Sequence, residues 1–429
     1  MATVIAACAP LRGHVDPVLG VVRGLVADGH RVVMTTGSRF EPLVRSAGAE
    51  FVALSGRADF DERDLDAYLP DQHRYRGVAL SQYQLQHTFI HPLPDQWATI
   101  RDLLGSTNAD IVMVDHLFAG VTPLLALPTD QRVPVVGLGI GPLAQLSANA
   151  APAGMALQPS WTAVGRLRNR LLNTVATRVV FRKTQGLARR LFAEATGHPL
   201  PSDFPFILDL TSRFDRLLQL GPREFEYALT DLAAGVRFVG RPAGALAEVP
   251  LPDWWDEVND GRPIVHVTQG TLANGDFTAL LVPALEGLAD LDAHVVVSTG
   301  GADVAALGAL PANARAAAFL PYDRLLPRLH ALVSNGGFGT VLAALGHGVP
   351  VVIAPGAEDK PEVAARVQHF GVGINLRTSH PTAAQIASAV DTVLNEPRYR
   401  ANAVDLADAI TRYEPRLAVR KEAAALLGG

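Results

Sequence analysis

The chain has 429 residues, 48% of them hydrophobic and 18% charged, with a formal net charge of −5. That length exceeds one ordinary core and predicts two domains, and the mild acidity removes any electrostatic reason to expect nucleic acid as a partner. Cys8 is the only cysteine, which excludes an internal disulfide and a cysteine-based zinc site. With no basic leader and no long apolar run, the sequence predicts neither signal peptide nor membrane span and, by default, a cytoplasmic location.

In chain order, short apolar runs at Thr3–Cys8, Arg31–Thr35, Glu50–Leu54, Asp110–Asp115 and Pro134–Gly139 alternate with helix-length segments such as Pro17–Asp28 and Phe40–Ala47. Such alternation predicts a parallel sheet with helices on both faces. Segment 56–80, rich in Asp, Arg and Tyr, reads as a mobile loop. Residues 140–235 break the pattern and read as helices and loops decorating the first domain. Within them Arg166–Lys183 carries six basic residues in an apolar pattern, and a solvated basic helix face is favoured over a helix lying on a membrane. Gly240-Arg241-Pro242-Ala243-Gly244 and Val249–Pro252 read as a linker, dividing residues 1–239 from 240–412. Alternation resumes at Ile264–Thr268, Ala293–Ser298, Ala316–Leu320, Leu332–Ser334 and Val349–Ala354. After Thr382 the chain reads as helical, and a last helix at about 413–429 can reach back to the first domain. The expected class is α/β: two doubly wound, Rossmann-like domains facing across a cleft, with ligands at the carboxyl ends of the strands.

The strongest chemical signal is Ser334-Asn335-Gly336-Gly337-Phe338-Gly339-Thr340, set between an apolar strand and a helical run. Its glycines let backbone N–H groups approach an anion at a helix N-terminus. The next strand ends at Glu358-Asp359-Lys360-Pro361, so the pair reads as a diphosphate seat beside a hydroxyl-binding carboxylate. Gly270 and Thr271 follow another strand and are candidates for phosphate oxygens. After the first strand comes Arg12-Gly13-His14-Val15-Asp16-Pro17, where Pro17 can open a helix and His14 can sit on the cleft rim. An imidazole there suits a general base, the bland alternative being a backbone-bonded histidine. Asp115, at the end of the fourth strand, is the candidate carboxylate partner or else only a helix cap. His116 is a competing base that points the other way if the strand persists. The pairs Asp59/Asp61, Asp64/Asp66 and Asp290/Asp292 have spacing that can hold a divalent ion, but they read as solvated loop acids.

Taken together, Gly13-His14-Val15-Asp16-Pro17, Phe319-Leu320-Pro321-Tyr322, Leu325-Leu326-Pro327, Asn335–Thr340, Gly348-Val349-Pro350 and Asp359-Lys360-Pro361-Glu362 resemble the marks of family-one glycosyltransferases of the GT-B fold. The likeness is to the macrolide and antibiotic glycosyltransferases of actinobacteria and covers essentially the whole chain. It implies inverting transfer of a sugar from a UDP- or dTDP-sugar to a hydroxyl of a hydrophobic small molecule such as a macrolide, polyketide or flavonoid. No metal and no cofactor is implied, and the enzyme would be a monomer or homodimer. His14 would deprotonate the acceptor with support from Asp115. Gly270, Thr271, Asn335, Gly336, Gly337, Phe338, Gly339 and Thr340 would hold the donor diphosphate. Phe319 would stack on the base, Pro321 and Tyr322 would contact it, and Glu358, Asp359 and Lys360 would meet the sugar. The acceptor would lie among Gly13, His87, Phe89, Phe118 and Ile140, although core packing is the alternative for each apolar wall.

Three positions depart from the family pattern. Asn335 stands where a histidine is usual, so leaving-group stabilisation would rest more on backbone N–H groups and the helix dipole. Ala343 replaces a glutamate that accepts from a ribose hydroxyl, which makes a deoxyribose donor more plausible. Lys360 replaces a glutamine and can pair with Asp359 or Glu358. Competing readings are a GT-B sugar-nucleotide epimerase and a catalytically impaired auxiliary protein, the latter disfavoured by the presence of both His14 and Asp115. An NAD-dependent oxidoreductase would need G-x-G-x-x-G where Ala9–His14 stands.

Overall fold

The computed structural model describes residues 1–242, 249–271 and 275–428, so Ala243 and Gly244 of the expected linker lie outside the described residues. In the first domain β1 (Thr3–Ala7), β2 (Arg31–Thr36), β3 (Glu50–Ala53), β4 (Ile111–Asp115), β5 (Val135–Gly139), β6 (Arg216–Gln219) and β7 (Val236–Phe238) form one parallel sheet ordered 3-2-1-4-5-6-7. In the second, β8 (Ile264–Thr268), β9 (His294–Ser298), β10 (Ala314–Ala317), β11 (Ala331–Ser334), β12 (Val351–Ile353) and β13 (Gly373–Asn375) are ordered 10-9-8-11-12-13. The central strands are covered on both faces, which is why β4, β5, β8 and β9 are buried at every residue and read as unbroken Val- and Ile-rich runs. Both domains therefore have the doubly wound arrangement expected of the class.

Several boundaries differ from the sequence reading. The stretch 140–235 contributes β6, a short run without alternation, and β7 follows at its end. β10 begins at Ala314 and stops before Phe319, whose ring is 52% exposed. The first helix, α1 (Arg12–Ala27), starts five residues before Pro17. Its N-cap, Leu11, supplies no side-chain bond; the buried Glu62 does so from fifty residues away, accepting from the Arg12 N–H at 2.6 Å while also meeting Arg39 at 2.7 Å. That remote cap places His14 inside the first helical turn. Segment 56–80 is a chain of short helical turns in which Phe60 stacks on Tyr68 at 4.2 Å and Tyr68 Oη donates to His87 O. It is pinned, not loose.

The last helix, Pro415–Leu426, lies against α1: Val419 and Ala423 are buried in the first domain's core, and Arg416 meets Asp28 at 2.6 Å. The domains are also joined through the helix Lys360–His369. Arg366, 2% exposed, contacts Glu226 of the first domain at 2.5 Å and Glu362 at 3.2 Å. Glu362 in turn accepts from the N–H groups of Gly154 and Ala156. Each charge in this buried group has a partner, the condition under which such a cluster persists in low dielectric. Among the described residues, no helix is long and apolar enough to cross a membrane.

Candidate functional site

In each sheet the strand order reverses beside the first strand, between β1 and β4 and between β8 and β11. Crevices at the carboxyl ends of strands at such a reversal are where doubly wound sheets take ligands. His14 and Asp115 stand at the first reversal, and Gly270 with the turn 335–340 at the second.

The register pairs Ala7 with Val114, so Asp115 reaches over the end of β1. Its Oδ2 accepts from the Ala9 N–H at 2.8 Å and its Oδ1 from the Leu117 N–H at 2.8 Å. His14 Nδ1 lies 3.2 Å from Oδ2, at an angle short of a full hydrogen bond, so the contact is mainly charge with charge. Nε2 is the nitrogen left for a substrate. Burial pushes the imidazole down, but the nearby Asp115 charge, aided by Asp359 and Glu358 from the other domain, outweighs it and leaves His14 more basic than usual. Burial pushes Asp115 up, and His14 more than compensates, so the carboxyl titrates below its ordinary range. His116 is different. Burial takes it down to about 4, and its Nδ1 has no partner, so it stays neutral and makes a poor base.

Phe89 packs its ring 5.3 Å from that of His14, and Gly13 leaves open space beside it. His87 lies between Tyr83 and His91, with ring centroids at 4.3 and 4.7 Å, and burial together with Arg57 lowers its pKa. Ile140 is partly buried against the first domain's core. Phe118 is not a wall of the cleft: it is fully buried in that domain's other core, because the chain turns inward immediately after Asp115.

At the second reversal Gly270 and Gly336 adopt left-handed φ of 75° and 91°. A side chain at Gly336 would also strike Ile353 at 2.8 Å, so glycine is required there. The helix Phe338–Leu345 follows Gly337 with no side-chain cap, leaving its first N–H groups directed at the cleft end of the strand. Thr340 Oγ1 is near Gly337, and Thr271 is exposed. Phe338 contributes backbone only, since its ring is buried against Gly221. Asn335 spends one amide N–H on Gln269 O at 2.5 Å, tying the two strand ends together. Tyr322 is likewise engaged below the cleft, its hydroxyl 3.0 Å from His266 Nε2, while Pro321 caps its short helix. Phe319 is the exposed aromatic of this domain's rim, lying over Gly301.

Glu358, at a left-handed φ of 65°, takes Lys360 at 2.5 Å, so Lys360 pairs with Glu358 in preference to Asp359. Burial, reinforced by Glu358, holds the Asp359 carboxyl above its usual range despite Lys360. A Cβ on Gly141 would stand 3.2 Å from Asp359 Oδ2, so the two domains meet closely here. Arg241 escaped the sequence reading. It reaches from the linker to donate to Gly339 O at 2.7 Å; desolvation lowers its pKa, and Asp16 on α1 offsets only part of that. It thus stands between the helix of His14 and the glycine turn. Of the Asp-x-Asp acids, Asp59 accepts from the Ser38 N–H, Asp61 pairs with Arg63 and Arg39, Asp64 accepts from the Ala67 N–H and Asp66 from Gln72. Among the described residues no group of three or more His, Cys, Asp or Glu is placed to hold a metal.

Residues 283–423 match the family described as "Erythromycin biosynthesis protein CIII-like, C-terminal domain". The chain is 36% identical to a 4'-demethylrebeccamycin synthase from Lentzea aerocolonigenes over 95% of each chain, and 34% identical to a UDP-glucosyltransferase B1 from Starmerella bombicola over 96% of this chain and 95% of that one. In fold it is similar to the calicheamicin glycosyltransferase CalG4, with a TM-score of 0.73 and 22% identity over 100% of this chain and 98% of that one. With such identity along nearly its full length and two facing doubly wound domains, the chain belongs to the family-one GT-B glycosyltransferases of the macrolide and antibiotic type.

Proposed function

We propose that the protein moves a sugar, with inversion, from a UDP- or dTDP-sugar to a hydroxyl of an apolar natural product, in the cytoplasm and without a metal. One observation carries this reading: a partly buried imidazole paired with a fully buried carboxylate at the first sheet reversal confronts an uncapped, glycine-lined helix end and Asp359 at the second. His14 Nε2 takes the acceptor proton as the hydroxyl oxygen attacks the anomeric carbon. The bond to the nucleoside diphosphate breaks on the opposite face, which inverts the centre. Asp115 stabilises the imidazolium formed. The departing negative charge meets the N–H groups of 338–340, the Thr340 hydroxyl, the helix dipole and Arg241, a cation that makes up for the uncharged Asn335. Asp359 accepts from sugar hydroxyls, and Phe89 offers the acceptor an apolar wall. Relatives are named for rebeccamycin-type and UDP-glucose chemistry, and a similar fold is solved with dTDP, in keeping with either nucleotide.

His14→Ala tests the core of this. Transfer from a panel of UDP- and dTDP-sugars should fall by about 10²–10⁴-fold while calorimetric binding of the nucleoside diphosphate persists. Transfer within a few-fold of the parent would remove His14 as base.

A further inference from the structure

The helix Ala163–Val175 and the wide turn Ala176–Val180 that continues it lie outside the site and sit on the first domain in an inverted sense. Gly165 and Asn169 face the protein, with Asn169 Nδ2 donating to Ala148 O at 3.1 Å and Asn173 Nδ2 to Ser147 O at 2.8 Å. The apolar side faces out. Val164, Leu167, Leu171, Val175 and Val179 recur every three or four residues and are 79%, 58%, 59%, 49% and 69% exposed. The basic residues are exposed as the sequence led one to expect, but the branched apolar row beside them is exposed too. A contiguous apolar surface of this kind marks a place of contact.

Charge identifies the occupant. Between Asp130 and Glu194 the sequence has no acidic residue and nine Lys or Arg, in a chain that is acidic overall. Arg166, Arg168, Arg170, Arg178 and Arg182 are exposed along the row. A second copy would bring two cationic faces together and be repelled. An anionic bilayer satisfies both features, since the Val and Leu side chains enter the acyl boundary while guanidinium groups on long stems stay among phosphates. The helix Gly77–Leu85 joins this face to the cleft: its Gln82 donates to Val180 O at 2.6 Å, and His87 and Phe89 follow on the same helical stretch.

We propose that this face seats the first domain on an anionic lipid surface beside the acceptor entrance; only the link to acceptor delivery rests on the sugar-transfer reading. The test is co-sedimentation of the full chain with vesicles of equimolar phosphatidylcholine and phosphatidylglycerol, against phosphatidylcholine alone. Binding should be at least about tenfold stronger to the anionic vesicles and should fall with salt. Leu171→Glu with Val175→Glu, both at solvent-facing positions, should abolish it while transfer to a water-soluble acceptor is unchanged. Arg170→Gln and Arg178→Gln should each weaken it about fivefold. Equal binding to both vesicle types, or undiminished binding of the Leu171→Glu/Val175→Glu variant, overturns the proposal. So does sedimentation as a dimer that this variant dissociates with no vesicle binding by the parent, which would assign the face to a second copy. Failure of the sugar-transfer reading would instead appear as absent transfer with vesicle binding intact.

Discussion

At the reversal of the first sheet the chain places two ionisable side chains, one of them fully buried, that shift each other's titration. At the reversal of the second it places glycines, an uncapped helix end and a hydroxyl, with charge entering from the flanks, positive through Arg241 and Lys360 and negative through Glu358 and Asp359. The first arrangement suits a proton that must move, because the pKa of an imidazole can be set by its neighbours. The second suits an anion that must be held, since backbone N–H groups cannot be titrated away. The same topology thus serves two kinds of chemistry according to what its strand-end loops carry.

Asp115→Asn separates the two most sharply. Turnover should fall by about 10²–10⁴-fold, as expected when an imidazole loses its orienting carboxylate. Because Asp115 is what lifts His14 against the effect of burial, the surviving activity should keep its acid limb at lower pH than the parent. An acid limb that stays in place would detach Asp115 from His14. Nucleoside diphosphate affinity, a property of the other reversal, should not move. Arg241→Ala should do the reverse, weakening nucleoside diphosphate binding by about tenfold, the worth of one charge-assisted contact, with the pH profile unchanged; Arg241→Lys should recover part of the loss. The smallest effect concerns Ala343: UDP and dTDP should bind within about tenfold of each other by calorimetry, since no side chain there accepts from a ribose hydroxyl.

The features legible in the sequence are those written locally. Val- and Ile-rich central strands, the glycine turn and the His14 and Asp115 positions all follow from short runs of neighbouring residues. Short strands such as β6 and the edge strands β7 and β13 were not legible, because their apolar content is too brief to show a period. Glu62 capping α1 from fifty residues away and Arg241 reaching Gly339 depend on contacts that only the folded chain creates. The helix Ala163–Val175 shows a different limit. Its periodicity is plain, yet periodicity cannot say which side turns inward, and there Asn169 and Asn173 won the inner side through hydrogen bonds to loop carbonyls.

The buried cluster around Arg366 bears on how the cleft can open. The helix that begins beside Asp359 is bolted to the first domain two turns later, and pulling that guanidinium from Glu226 would strand charges at a penalty of about 3–5 kcal/mol. A swing of the two lobes that keeps this cluster intact would pivot near β12 and β13, like a door on a jamb, and gape widest toward β10, beside Phe319. Under the sugar-transfer proposal, the nucleoside end of a donor would meet a doorway and its sugar end the hinge.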